Sequence, residues 1–114
     1  NLELLDLSYT NVRAVPPGIG KLRKLKSLDL DGCNLAELPE EIGALTELQR
    51  LVLGRRVDRA SRGGNKLKAL PRSILKLQNL QELNLGRNEL TELPMEIGAL
   101  RHLKMLFVEA NRLR

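Results

Sequence analysis

An α/β solenoid is the fold this sequence predicts: a stack of short turns with a parallel sheet along the concave side and short helical segments along the convex side. Three observations predict it. Leucines recur in phase five times, in copies beginning at Leu2, Leu25, Leu48, Leu80 and Leu103. Each complete copy joins an alternating apolar stretch to a Leu-Pro or Val-Pro step. Finally, aromatics make up only 2% of the 114 residues, just Tyr9 and Phe107, so aliphatic side chains must fill the core. A repeat that reuses one slot has that composition.

The copies share the pattern L-x-x-L-x-L-x-x-N-x-L-x-x-L-P-x-x-I-x-x-L. The fourth is the most regular: Leu80, Leu83, Leu85, Asn88, Leu90, Leu93, Pro94, Ile97, Leu100. We read one domain over 1–114, with repeats at 2–24, 25–47, 48–79, 80–102 and a partial one at 103–114. In each, the x-Leu-x-Leu-x core alternates with period two and predicts a short strand, apolar on one face. At the Asn position the chain turns inside the stack, and an amide can satisfy backbone groups there. Thr10 and Cys33 replace it in the first two copies. Pro16, Pro39, Pro71 and Pro94 are expected in the first turn of a helical segment, with Ile three and Leu six residues later facing inward. No unit can bury its apolar face alone, so the units stack and their strands align as a parallel sheet.

At these residues a resemblance emerges. Leu38-Pro39-Glu40-Glu41-Ile42-Gly43-Ala44-Leu45 and Leu93-Pro94-Met95-Glu96-Ile97-Gly98-Ala99-Leu100 resemble the leucine-rich repeat family in its intracellular 23-residue form. The regular copies are similar to Ras-group scaffolds and to the repeats of Roco-type GTPases. The first copy, Leu5-Asp6-Leu7-Ser8-Tyr9-Thr10-Asn11-Val12, with the insert after Leu51-Val52-Leu53, resembles plant nucleotide-binding immune receptors. The resemblance implies a horseshoe segment whose concave sheet binds a protein partner, in cytoplasmic signalling or plant defense. Any GTPase, ATPase or kinase activity would then lie in other domains.

The third copy is 32 residues long instead of 23, with the nine extra residues between Gly54 and Gly64. From Gly54 to Lys68 there are six basic residues, Arg55, Arg56, Arg59, Arg62, Lys66 and Lys68, and one acid, Asp58. That segment therefore carries the whole net charge of +5, and the remaining residues sum to zero. Such a patch is either a solvated loop or a contact for acidic protein segments, phosphates or nucleic acid. No aromatic is interleaved for base stacking, which weighs against dedicated nucleic-acid recognition.

Strand residues between the buried leucines point to the concave side. The central column reads Asp6, Asp29, Val52, Asn84, Phe107, and its neighbour Leu4, Ser27, Arg50, Glu82, Met105. Tyr9, Gly32, Arg55 and Arg87 lie towards the rim. One end is acidic (Asp6, Asp29, Asp31), the middle basic (Arg50, Arg55, Arg87), and the far end apolar (Met105, Phe107). Asp6, Asp29, Arg50, Val52, Arg55, Glu82, Asn84, Arg87, Met105 and Phe107, with Arg56, Arg59 and Arg62 of the insert, form the candidate partner-binding set, and Met105 and Phe107 lead it because exposed apolar side chains on a sheet usually seek a partner.

Catalytic chemistry is not expected. His102 has no nucleophile at a suggestive spacing, Cys33 reads as a structural thiol, and Glu40 and Glu41 suit a helix N-terminus. No metal-ligand cluster or cofactor motif is present; Gly18-Ile19-Gly20-Lys21 fails as a phosphate loop, because Val15 stands where its first glycine should be. No apolar run approaches the roughly 18 residues of a membrane span. A single cysteine and eight asparagines without a glycosylation sequon lean towards a reducing, cytoplasmic setting. The chain opens at the first position of a repeat and closes within another, so end-to-end self-association of its apolar ends is also expected.

Overall fold

The computed structural model describes residues 2–54, 65–109 and 111–113. Among these residues five three-residue strands, β1 (Leu4–Asp6), β2 (Ser27–Asp29), β3 (Arg50–Val52), β4 (Glu82–Asn84) and β5 (Met105–Phe107), form one parallel sheet in sequential order. The pairing register follows the repeat. Leu5, Leu28, Leu51, Leu83 and Leu106 align across the sheet, flanked by the columns running from Leu4 to Met105 and from Asp6 to Phe107. This is a leucine-rich repeat solenoid: the turns share a single core in which Leu28, Leu51 and Leu83 are fully buried.

Among the described residues, four 3-10 helices run between the strands, η1 (Pro17–Lys21), η2 (Glu40–Ala44), η3 (Arg72–Lys76) and η4 (Met95–Ala99). Their type follows from the sequence spacing. Pro16, Ile19, Leu22 and Leu25 are three residues apart, and only a helix with 3.0 residues per turn stacks such a series on one line. The hydrogen bonds run the same way: Ile19 N–H to Pro16 C=O at 3.0 Å, Leu22 to Ile19 at 3.1 Å, Leu25 to Leu22 at 3.0 Å. One expectation is corrected. The four prolines do not occupy the first helical turn; each is the N-cap, with extended backbone such as φ −72° and ψ 152° at Pro39. The proline ring fixes φ near a value common to helix and extended chain, so ψ alone decides.

Inside the stack, asparagines replace the missing backbone partners of the turns. Asn65 Oδ1 accepts the N–H groups of Cys33 (3.0 Å) and Leu35 (2.9 Å), and its Nδ2 donates to the carbonyls of Leu30 (2.9 Å) and Leu53 (2.8 Å). Asn88 and Asn111 make equivalent bonds to the turn before them. In the second turn, Cys33 Sγ donates to the Leu7 carbonyl at 3.0 Å, while Thr10 Oγ1 donates to the Leu7 carbonyl of its own turn at 2.6 Å and lies 3.9 Å from Cys33 Sγ. Asn65 takes the asparagine position of the third turn, and the extra residues of that copy lie outside the described residues.

Candidate concave binding surface

The concave face is built by the residues that leave the strands opposite the buried leucines. At its acidic end, Asp6 Oδ1 accepts from the Ser8 backbone (2.9 Å) and hydroxyl (2.6 Å), and these bonds hold its carboxyl below the usual range. Asp29 repeats the geometry, accepting from the Asp31 N–H at 3.0 Å, as Asn84 does from Gly86. Burial nevertheless pushes the Asp29 carboxyl up, with help from neighbouring Asp6 and Asp31 and against the pull of Arg50.

In the middle of the face, Arg50 Nε lies 3.3 Å from Glu82 Oε2 across β3 and β4. The basic centre expected from the sequence is therefore partly compensated within the sheet. Val52 and Asn84, candidates in the central column, are covered, with 5% and 7% of their surface accessible. At the far end Met105 is exposed and Phe107 half-buried. Arg55, Arg56, Arg59 and Arg62 lie outside the described residues, so the structure brings together Asp6, Asp29, Arg50, Glu82, Arg87, Met105 and Phe107 along one face.

The rim has its own backbone requirement. Tyr9, Gly32 and Arg87 occupy the same position in their turns, and all have positive φ (58°, 70° and 56°). Glycine fits that region without strain. The exposed Tyr9 ring lies against Gly32 so closely that a Cβ there would sit 2.7 Å from it. Sequence reasoning did not single out Leu4, which at 64% accessible is the most exposed large apolar residue among those described. Its signal was available: a leucine in a column otherwise filled by Ser27, Arg50, Glu82 and Met105.

Elsewhere, His102 is exposed and Cys33 fully buried. Among the described residues no three His, Cys, Asp or Glu side chains converge as metal ligands, and no helix is long and apolar enough to cross a membrane.

Comparison with known proteins agrees with this geometry. Residues 24–45 and 63–113 match models of the leucine-rich repeat family. The chain is 34% identical over 106 residues, 93% of its length, to the plant intracellular Ras-group-related LRR protein 8 of rice. It is 43% identical over 47 residues, 41% of its length, to human Toll-like receptor 1. It spans 26% of the rice protein and 6% of the receptor. Among solved structures it resembles a leucine-rich repeat protein of Leptospira interrogans, with TM-score 0.68 and 36% identity over 96% of this chain and 31% of that one. It also resembles the plant peptide hormone receptor RGFR1 in complex with RGF2, with TM-score 0.74 and 42% identity over 98% of this chain and 17% of that one. With the repeat register, the sequential parallel sheet and the matched models in agreement, the chain is one of leucine-rich repeats.

Proposed function

We propose that this chain is a protein-recognition module of an intracellular signalling or innate-immune regulator, binding through its concave sheet with the basic insert at the rim. One observation carries the reading. The inward column is leucine in all five strands, whereas the adjoining concave columns never hold the same residue twice in neighbouring strands except Asp6 and Asp29. A scaffold that fixes its core and varies one face presents an address on that face. The rice relative's intracellular Ras-group name supports the signalling setting, and the receptor solved in complex supports ligand binding by this architecture. On this reading the repeats position a partner and perform no chemistry.

The test is co-precipitation from lysate with three variants. Asp29→Lys with Arg50→Glu alters the concave face, Arg55, Arg56, Arg59 and Arg62→Ser neutralises the insert, and Arg23→Ser with Lys76→Ser alters the convex side. Loss of the same partners with the first and second variants but not the third supports the proposal. Loss only with the convex variant contradicts it. A second reading, an anionic or nucleic-acid ligand held by residues 54–68, rests on that segment's net +5. Binding of that kind collapses between low and moderate salt, whereas an interface on Met105 and Phe107 tolerates salt.

A further inference from the structure

Charges on the stretches that lead from the sheet into the 3-10 helices are sorted by turn. Residues 34–44 of the second turn carry Glu37, Glu40 and Glu41 and no base. Residues 65–76 of the third carry Lys66, Lys68, Arg72 and Lys76 and no acid. Residues 88–99 of the fourth carry Glu89, Glu92 and Glu96 and again no base. Backbone bonds hold the three stretches side by side: the Lys66 N–H donates to the Leu35 carbonyl (2.7 Å), and the Glu89 N–H to the Leu67 carbonyl (2.9 Å). A cationic band one turn wide therefore runs round the flank of the solenoid between two anionic ones.

The band is presented to solvent. Lys66, Lys68, Arg72 and Lys76 are all exposed, while Leu67 between the two lysines is fully buried. Arg72 Nη2 lies 3.4 Å from Glu96 Oε1, in a pair whose side chains are 77% and 51% accessible. Water screens such a pair, so a partner's carboxylate can exchange with it. Among the described residues no carboxylate forms an ion pair with Lys66, Lys68 or Lys76. Beside the band, between the third and fourth turns, Ala69, Leu70, Leu93 and Pro94 line a hollow of about 280 Å³, with Arg72 and Glu92 completing its wall. That hollow has room for one aliphatic side chain.

We propose that this flank docks an extended acidic segment of a partner protein, its carboxylates on Lys66, Lys68 and Arg72 and one aliphatic side chain in the hollow. Lys66 and Lys68 stand on either side of a buried residue, as alternate side chains of an extended chain do, at a spacing of about 6.6 Å. Alternate carboxylates along one edge of an extended peptide repeat at the same interval. A nucleic-acid duplex does not fit. Its two phosphate strands are separated by grooves roughly 6 and 12 Å wide, so a strand seated on the band sets the other over a neighbouring turn. There it meets Glu37 and Glu40 on one side or Glu89 and Glu92 on the other. Turns about 5 Å apart at the sheet place those acids within the Debye length of about 8 Å, and they repel it. The surface shares no residue with the concave candidate set, so it stands apart from concave recognition.

Fluorescence anisotropy with the labelled peptide Glu-Ser-Glu-Leu-Glu-Ser-Glu tests the proposal. The chain carries Arg55, Arg56, Arg59 and Arg62→Ser, so that the insert's arginines cannot capture the peptide. The peptide binds, and Lys68→Ser with Arg72→Ser weakens it about fivefold. Lys21→Ser with Lys24→Ser, an equal loss of charge in the first turn, weakens it by no more than about twofold. A peptide with serine in place of leucine binds about tenfold more weakly. Asp29→Lys with Arg50→Glu leaves binding unchanged, which separates this surface from the concave one. A labelled DNA duplex binds more weakly than the peptide and gains on Glu37, Glu40, Glu89 and Glu92→Gln. Circular dichroism checks the fold of each variant, and where the double variant does not fold, Lys66→Ser reads the same band. Absence of peptide binding overturns the proposal. So do equal losses from the first-turn and third-turn pairs, indifference to the leucine, or a duplex that binds more tightly than the peptide.

Discussion

Asn65→Ala removes four hydrogen bonds from the centre of the stack, and the structure sets the size of the effect. The Leu53 carbonyl keeps a donor, because Asn88 Nδ2 also reaches it at 3.0 Å. The N–H groups of Cys33 and Leu35 and the carbonyl of Leu30 lose the partner that Asn65 provides. Asn65 is only 8% accessible, and Cys33, Leu30 and Leu35 are at or below 1%. A buried backbone group left unmade costs about 1–3 kcal/mol. Three of them, with partial relief from entering water, give about 3–5 kcal/mol, a large share of the 5–15 kcal/mol typical of a domain. Asn88→Ala costs less, because Asn111 still serves the Leu85 carbonyl and Asn65 the Leu53 carbonyl. Urea unfolding followed by circular dichroism reads the difference. With m near 1–3 kcal/mol/M, the Asn65 variant's midpoint falls by at least about 1 M. A loss below about 1 kcal/mol, or a smaller loss than for Asn88→Ala, refutes the claim that these amides substitute for backbone pairing.

Gly54→Ala is strongly destabilising, because its new Cβ overlaps the Gly86 carbonyl of the next turn; a melting temperature within a degree of wild type contradicts that close approach. Cys33→Asn raises the urea midpoint, by about 1 kcal/mol of stability, as the amide restores acceptors that the thiol lacks; unchanged or lower stability refutes it. Leu28→Ala, fully buried at the sheet centre, costs about 2–5 kcal/mol in the same assay, and an unchanged midpoint would remove Leu28 from the core. Asp29→Asn stabilises at neutral pH while keeping its bond from the Asp31 N–H, as Asn84 does to Gly86. The sign follows from burial, which raises the folded carboxyl above its ordinary value of 3.8. The folded state then binds more protons, so the cost of the charge develops as pH rises above 3.8 and is complete above the folded value. The gain of the variant over wild type shrinks to nothing in acid, and a gain independent of pH refutes this cause.

The features legible in the sequence were those imposed by a period. Recurrence of Leu28, Leu51 and Leu83 located the strands, and Asn65, eleven residues beyond Gly54, showed where the register resumes. The three-residue spacing from Pro39 through Ile42 and Leu45 to Leu48 encodes the 3-10 geometry, yet it says little about the ψ that places Pro39 outside the helix. Burial on the concave face was also hidden. Period-two alternation tells which face a side chain leaves from, but strands about 4.8 Å apart decide how far their neighbours cover it. Val52 and Asn84 are covered, and Met105 is not. Pairing of Arg50 with Glu82 needed the register as well as the sequence, because the insert separates the two residues by more than one regular period.

Hydroxyl-radical footprinting of the chain with and without its captured partner tests concave recognition most directly. The account predicts protection at Leu4, Tyr9, Met105 and Phe107 on the concave side and rim, with Leu22 and Leu75 of the convex side unchanged. Protection confined to Leu22 and Leu75, with Tyr9 and Met105 as reactive as in the unbound chain, would contradict it.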